Sequence, residues 1–84
     1  MYLIKVYKFW KFIGSSVFSE CHSLQSIILP DSLENIREYA FKYCTSLQSI
    51  RFGDSLKSIG KYAFYHCESL NVVLKKKHLK VVIP

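Results

Sequence analysis

Residues 37–50 read REYAFKYCTSLQSI, and related stretches stand 23 residues to either side. The earlier copy is GSSVFSECHSLQSI and the later copy is GKYAFYHCESLNVV, with Phe, Cys, Ser and Leu at the same offsets in all three. A fixed period of this length indicates a repeat architecture. A unit this short cannot bury a hydrophobic face alone, so each repeat must pack against its neighbours.

The positions that the repeats share are almost all apolar or small. Stacking identical units places identical side chains above one another, so we expect these positions to form continuous ladders through the core. The ladders are Ile13/Ile36/Ile59, Phe18/Phe41/Phe64, Cys21/Cys44/Cys67, Ser23/Ser46/Ser69, Leu24/Leu47/Leu70, Ile27/Ile50/Val73 and Leu33/Leu56/Leu79.

The first half of each repeat predicts a strand. In residues 24–33, Ile27 and Leu29 have the alternate spacing of a half-buried strand, and Leu24 precedes them as a further inward residue. A Pro-Asp-Ser turn signal follows at once. The equivalent pairs in the neighbouring units are Ile4/Val6 and Ile50/Phe52.

The second half of each repeat has a different pattern. Ile36, Ala40 and Cys44 fall close to one face of two helical turns. This spacing predicts one short helix or helical turn per repeat, near residues 38–44 and again near residues 61–67.

The combined pattern, L-x-x-I-x-L-P…L-x-x-I-x-x-x-A-F-x-x-C-x-x-L, resembles the BspA-like class of leucine-rich repeats, which has a 23-residue unit. The resemblance covers residues 1–84. It implies an α/β repeat solenoid, a short arc with a parallel β-sheet on one face and short helices or helical turns on the other. It also implies a role in binding proteins or surfaces. Gly53 and Lys76 stand where the first full repeat has Pro30, which loosens the turn without changing the class.

The register of the repeats predicts the organisation of the chain. Ile4 lies one period before Ile27, so the N-terminal residues form part of a repeat rather than a separate segment. We therefore predict one domain, residues 1–84. Its predicted units are a partial repeat 1–12, repeats 13–35, 36–58 and 59–81, and a C-terminal end 82–84.

The N-terminal stretch also has an alternative interpretation. Phe9, Trp10 and Phe12 alternate with lysines, which is typical of an amphipathic membrane anchor, but that interpretation leaves the register match unexplained. No apolar run approaches the roughly 20 residues of a membrane span. The lysines also interrupt any signal-peptide segment. A membrane partner is disfavoured. Localisation stays open, because the resemblance suggests a surface or secreted protein while free thiols and the missing signal peptide suggest the cytoplasm.

The formal net charge of +6 arises at the two ends of the chain. Residues 1–14 contain lysines and no acid, and so do residues 71–84, which include KKKHLK at 75–80. Lysine clusters can bind nucleic acid. They are also a common protection against aggregation at exposed sheet ends, where both clusters map here. A nucleic-acid partner is therefore disfavoured.

The three cysteines stand at the repeat spacing. In-register strands lie about 4.8 Å apart with parallel Cβ vectors, a geometry that disfavours disulfides. We expect Cys21, Cys44 and Cys67 to be buried free thiols. Single Cys-His neighbours lack the ligand spacing of zinc sites, and no acid/base pair, nucleophile elbow or phosphate loop is present. We predict no enzyme activity, no catalytic residue, no metal and no cofactor.

The outward positions of the strands vary between repeats, unlike the core. Such variation suits a surface tuned to a partner. We predict a non-catalytic protein-binding or adhesion-type module that recognises a protein or a cell-surface ligand through the exposed sheet face. Ile28, Val72 and Leu74 are expected to form an exposed apolar strip on this face. The whole candidate face consists of two lanes, Leu3/Ser26/Ser49/Val72 and Lys5/Ile28/Arg51/Leu74.

An alternative function belongs to a different class. The chain has no polar capping repeat at either end, which favours association through the ends of the stack. In this alternative, the chain is a structural fragment or building block of a longer or self-associating repeat array.

Overall fold

Short parallel strands make up the regular structure. The computed structural model describes residues 3–5 and 9–75, with the backbone alone for residues 4–5 and 72–75. The sequence predictions for Val6, for Leu79 and for the segment 76–84 fall outside the described residues. The strands are β1 (Leu3–Lys5), β2 (Phe12–Ile13), β3 (Ser26–Ile28), β4 (Asn35–Ile36), β5 (Ser49–Phe52), β6 (Ser58–Ile59) and β7 (Val72–Lys75).

The strands form two parallel sheets. The large sheet has the order β1-β3-β5-β7, and the small sheet has the order β2-β4-β6. Pairing joins residues that are one period apart, such as Ile27 with Ile50 in the large sheet and Ile36 with Ile59 in the small sheet. The 23-residue period of the sequence is therefore the pairing register of both sheets, and the predicted parallel repeat fold is confirmed.

The core lies between the two sheets and the segments that connect them. Strand β5 illustrates how the sequence builds it, because buried Ile50 and Phe52 alternate with half-buried Ser49 and exposed Arg51. The inward assignments of the apolar ladders are confirmed for the described residues, which are buried or half-buried. The serine ladder was wrongly placed in the core, since Ser23 and Ser69 are exposed and Ser46 is only half-buried. The buried apolar side chains are Ile13, Leu24, Ile27, Leu29, Leu33, Ile36, Ala40, Phe41, Cys44, Leu47, Ile50, Phe52, Ala63 and Phe64.

A phenylalanine ladder runs through this core. The ring of Phe41 stacks on Phe18 at 5.2 Å between centroids and on Phe64 at 5.2 Å, with interplanar angles of 6° and 1°. Phe41 is fully buried and has a ring on both faces. The identity of this position in every repeat is therefore a requirement of stacking.

The segments that were predicted to be helical contain no helix. Residues 38–43 and 61–66 are hydrogen-bonded turns, Cys44 and Cys67 after them are irregular, and no helix occurs anywhere in the part of the chain that the structure describes. Helical spacing correctly identified the inward residues Ala40 and Cys44, which are buried. The prediction of short helices at these positions is wrong.

The reason lies in the backbone hydrogen bonds. In an α-helix, the Phe41 amide would donate to the carbonyl four residues earlier. It instead donates to Ala63 of the next repeat at 2.7 Å, and the Tyr43 amide donates to Tyr65 at 2.8 Å. The preceding repeat has the same arrangement, in which the Phe18 amide donates to Ala40 at 2.8 Å. These donors form a third ladder between repeats, which replaces the helical pattern.

Left-handed backbone conformations make this third ladder possible. Tyr39 and Tyr43 have φ of 58° and 59°, and Tyr62 and His66 of the next repeat have φ of 60° and 56°. A single left-handed residue ends an α-helix, because the chain turns away from the helical path. Two such residues, four positions apart, therefore rule out a helix in each repeat. Ser16 and Glu20 occupy the same conformations in the first full repeat, with φ of 62° and 61°.

Candidate protein-binding surface

The large sheet aligns the candidate face as its sequence register predicted. Backbone pairing places Leu3 beside Ser26 and Lys5 beside Ile28 in the first pair of strands. The same registers continue through the sheet to its far strand. The complete lanes are Leu3, Ser26, Ser49 and Val72 in the first, and Lys5, Ile28, Arg51 and Leu74 in the second.

A shallow cavity of about 170 Å³ opens on this face, and we call it the face cavity. Leu3, Ser26, Ile28, Ser49 and Arg51 line it, together with the strand residues between them. Leu3 and Arg51 are exposed, and the other three side chains are half-buried. Five of the eight candidate residues therefore meet in one concave site that spans three strands.

The other three candidate residues, Lys5, Val72 and Leu74, are described by their backbone alone. The backbone of Leu74 pairs with Arg51, so Leu74 occupies the predicted register position at the far edge of the sheet. The side chain of Leu74, like those of Val72 and Lys5, lies outside the part of the chain that the structure describes. Leu74 is therefore not assigned to the face cavity, and its place in a binding face stays a prediction.

The predicted apolar strip of Ile28, Val72 and Leu74 needs correction at the residue whose side chain is described. Ile28 is half-buried rather than fully exposed, because its strand lies between β1 and β5. It lines the face cavity together with Leu3. Leu74 lies on β7, two strands away from Ile28, with Arg51 on the strand between them. The described apolar surface of the two lanes is thus the pair Leu3 and Ile28, and its continuation to Val72 and Leu74 stays a prediction.

The polar side chains of the face cavity have no partner within the described residues. Ser26, Ser49 and Arg51 make no side-chain hydrogen bond and no ion pair there. Arg51 therefore presents its guanidinium to solvent beside two hydroxyl groups. Leu3 and Ile28 add apolar surface at the same cavity.

The acidic residues whose ion pairs are described lie elsewhere. Glu34, beside the small sheet, contacts Lys11 at 3.6 Å and Lys57 at 3.8 Å. No candidate position on the large sheet carries an acidic residue. The face cavity is therefore electropositive through Arg51.

The cysteine ladder is structural. Cys21, Cys44 and Cys67 are free thiols as predicted, although only Cys44 is fully buried. The Cys44 thiol donates to the Phe18 carbonyl at 3.0 Å, and Cys67 donates to the Phe41 carbonyl at 3.0 Å. Each of these two thiols thus bonds to the repeat before its own.

The protonation of these thiols follows from their packing. Two causes raise the pKa of Cys44: the larger is a hydrogen bond with the Cys67 thiol, and the second is burial. Burial also raises the pKa of Cys21, whereas the hydrogen bond with Cys44 lowers the pKa of Cys67. A thiol whose pKa is raised is a poor nucleophile at neutral pH, because the thiolate is the reactive form.

The described side chains contain no group of three or more His, Cys, Asp or Glu arranged to hold a metal ion. In the part of the chain that the structure covers, no helix has the length and apolar character needed to cross a membrane.

The turn segments carry a second exposed surface that sequence reasoning did not identify. Tyr39 and Tyr62 stack at 5.6 Å, and Tyr65 meets the edge of Tyr62 at 5.6 Å. Lys42 lies 5.4 Å from the ring of Tyr39, and Lys61 lies 5.1 Å from that of Tyr62. The shared Tyr-Ala-Phe of the second and third repeats was the available signal, since a residue next to a buried Ala-Phe pair faces outward.

The family model of the BspA type leucine rich repeat region, described with six copies, matches residues 5–82. The chain belongs to this family. Repeats of this family are generally protein-interaction or adhesion-type modules and are generally non-catalytic. Among curated proteins and solved structures, none matches this chain.

Proposed function

We propose that this BspA-type repeat chain is a non-catalytic module that binds a protein or cell-surface ligand through the outer face of the large sheet. In this proposal the stacked repeats form a short arc of solenoid. The observation that supports the proposal is the face cavity, where Ser26, Ser49 and Arg51 converge without partners in the described structure.

The backbone of the large sheet favours recognition by side chains. Strand β3 is paired with β1 and β5, and β5 is paired with β3 and β7. Since both central strands are paired on each side, a ligand on the sheet face cannot add itself as a neighbouring strand to them. Specificity then depends on outward side chains, which are the positions that differ between repeats.

A capture experiment tests this proposal. The chain is immobilised, and proteins retained from a surface-protein extract are compared between the wild type and Ile28→Asp. A charge beside the face cavity should reduce retention of a specific partner by at least about tenfold. The control is Ser58→Asp, which places the same charge at an exposed strand position of the small sheet. Retention that Ile28→Asp leaves unchanged, with unchanged circular dichroism, contradicts the choice of face.

The extent of the face is tested in the same experiment with Leu74→Asp. If the binding face extends across the whole sheet, as the sequence register predicts, this variant should also reduce retention, because Leu74 continues the lane of Arg51. Full retention by Leu74→Asp, together with loss by Ile28→Asp, would confine the binding face to the three strands that carry the face cavity.

A second candidate function, a building block of a larger array, has its own supporting observation. Val17 is 57% exposed, whereas Ala40 and Ala63 at the same ladder position are fully buried. Val17 borders an open cavity of about 270 Å³ that Trp10 and Phe12 also line. A further repeat, from the same or another molecule, would cover this apolar end.

Sedimentation measures this second candidate directly. End-to-end association predicts a concentration-dependent increase in mass that Val17→Asp abolishes. The matched control is Ser16→Asp, at another exposed position of the same turn segment. A monomer at all concentrations from low micromolar to millimolar contradicts the building-block function.

A further inference from the structure

Three hydrogen-bond donors converge on the face cavity. Ser26 and Ser49 are direct partners across β3 and β5, and Arg51 follows Ser49 by two residues on the same side of its strand. Neighbouring strands lie about 4.8 Å apart, and residues i and i+2 of a strand lie about 7 Å apart. The two hydroxyl groups and the guanidinium therefore occupy one corner of the sheet face. All three line the same cavity.

The guanidinium of Arg51 has no counter-ion in the described structure. None of the ion pairs among the described residues includes Arg51. Glu34 is held by two lysines, and Glu38 accepts a hydrogen bond from Ser15 at 3.3 Å. An arginine guanidinium binds a carboxylate in a planar, bidentate geometry, which is its strongest common pairing in proteins. The chemistry of the corner is therefore that of an anion site to which the described residues contribute no anion.

The size of the face cavity limits what it accepts. A volume of about 170 Å³ is well below the roughly 300–1,000 Å³ of small-molecule pockets. It has room for one side chain rather than a nucleotide or a cofactor. Leu3 and Ile28 provide apolar walls, which suit the methylene groups of an acidic side chain and strengthen an ion pair by excluding water.

We propose that the face cavity receives an aspartate or glutamate side chain of the partner protein, with its carboxylate on Arg51 and within reach of the Ser26 and Ser49 hydroxyls. This inference rests on the proposed function, because it assumes that the large-sheet face is where the partner binds. To that function it adds the chemical group that is recognised, a carboxylate. The recognised segment carries an acidic residue flanked by apolar ones.

The experiment uses the full chain and two short peptides. The probe is acetyl-Gly-Leu-Glu-Leu-Gly-amide, and its partner probe has Gln in place of Glu. Binding is followed by nuclear magnetic resonance, through the Arg51 side-chain Nε–H signal and the Ser26 and Ser49 amides. The Glu peptide should shift these signals, with an affinity at least about tenfold above that of the Gln peptide.

Variants of the chain complete the test. Arg51→Gln should weaken binding of the Glu peptide by at least about tenfold. Lys57→Gln, an exposed cation beside the small sheet, should leave it unchanged. Equal binding of both peptides, no shift of these signals at millimolar peptide, or no effect of Arg51→Gln overturns the inference. Tighter binding of a phosphoserine version of the peptide also overturns it, in favour of a phosphate site.

The two proposals fail in different ways. If Ile28→Asp abolishes partner capture while Arg51→Gln leaves capture unchanged, the sheet face binds a partner but the carboxylate inference is wrong. If capture survives Ile28→Asp while the Glu peptide still binds at Arg51, the carboxylate site exists but the proposed function of the face is wrong.

Discussion

Replacing Phe41 by leucine tests how the repeats hold one another. The Phe41 ring is fully buried and stacks on two rings, each at 5.2 Å. An aromatic pair contributes about 0.5–1.5 kcal/mol beyond the area it buries, so loss of two pairs costs about 1–3 kcal/mol. The leucine itself is close enough in volume to add less than about 1.5 kcal/mol. For a chain of 84 residues, the free energy of unfolding is roughly 4–13 kcal/mol, which exceeds the expected loss over all but the lowest part of that range.

The matched comparison is Phe18→Leu. Phe18 is half-buried and has one stacking partner in the described structure, so this variant should lose about half as much free energy of unfolding. Urea denaturation followed by far-ultraviolet circular dichroism measures both values, with the fluorescence of Trp10 as a second probe. If the two variants lose equal free energies of unfolding, or if Phe18→Leu loses more, the stabilisation of Phe41 by ring stacking on both faces is refuted.

Three further results are expected. Gly60→Ala should lower the free energy of unfolding by about 1–3 kcal/mol, because the added Cβ would lie 2.7 Å from the backbone carbonyl carbon of Arg37. Gly14→Ala should lower it less in the same urea titration, because its added Cβ would contact only a Val17 methyl group, at 3.2 Å. Ser16→Gly should raise the melting temperature, since glycine relieves about 1 kcal/mol of strain at φ of 62°; a lowered melting temperature would contradict this. At pH 8, Cys44 should react with a thiol reagent only when the chain unfolds, because burial and its raised pKa suppress the thiolate. Mass spectrometry that finds Cys44 of the folded chain labelled as fast as free cysteine would disprove this.

The repeat pattern predicted the features that depend on sequence spacing alone. Ile27 and Ile50 pair in the large sheet because stacked repeats place residues 23 positions apart beside one another, and this period is evident in the amino-acid sequence. Phe41 and Cys44 were assigned to the core for the same reason, and both are buried. The two outward lanes followed directly from that register, as far as the backbone of Leu74.

Features that depend on contacts between repeats could not be predicted from one repeat. Helical spacing and the observed turns both place Ala40 and Cys44 inward, so the pattern alone does not separate them. The deciding factor is that the Phe41 and Tyr43 amides find acceptors in the next repeat, which the periodicity does not encode. Nor does it encode the left-handed φ of Tyr39, because no glycine marks the position.

The face cavity illustrates the same limit. The sequence identified Ser49 and Arg51 as outward positions, but not that they share a concavity with Leu3, which comes from a strand two positions away in the large sheet. Depth on a sheet face depends on how large and small side chains alternate across several strands. That arrangement requires the packed structure.

Backbone hydrogen bonds between repeats, rather than helices within them, hold the turn segments. Scalar couplings across hydrogen bonds, measured by nuclear magnetic resonance on labelled chain, identify the acceptor of each amide. We expect a coupling between the Phe41 amide and the Ala63 carbonyl, whose N···O distance is 2.7 Å. A coupling from the Phe41 amide to the Arg37 carbonyl, four residues earlier in the chain, would indicate a helix and contradict the account.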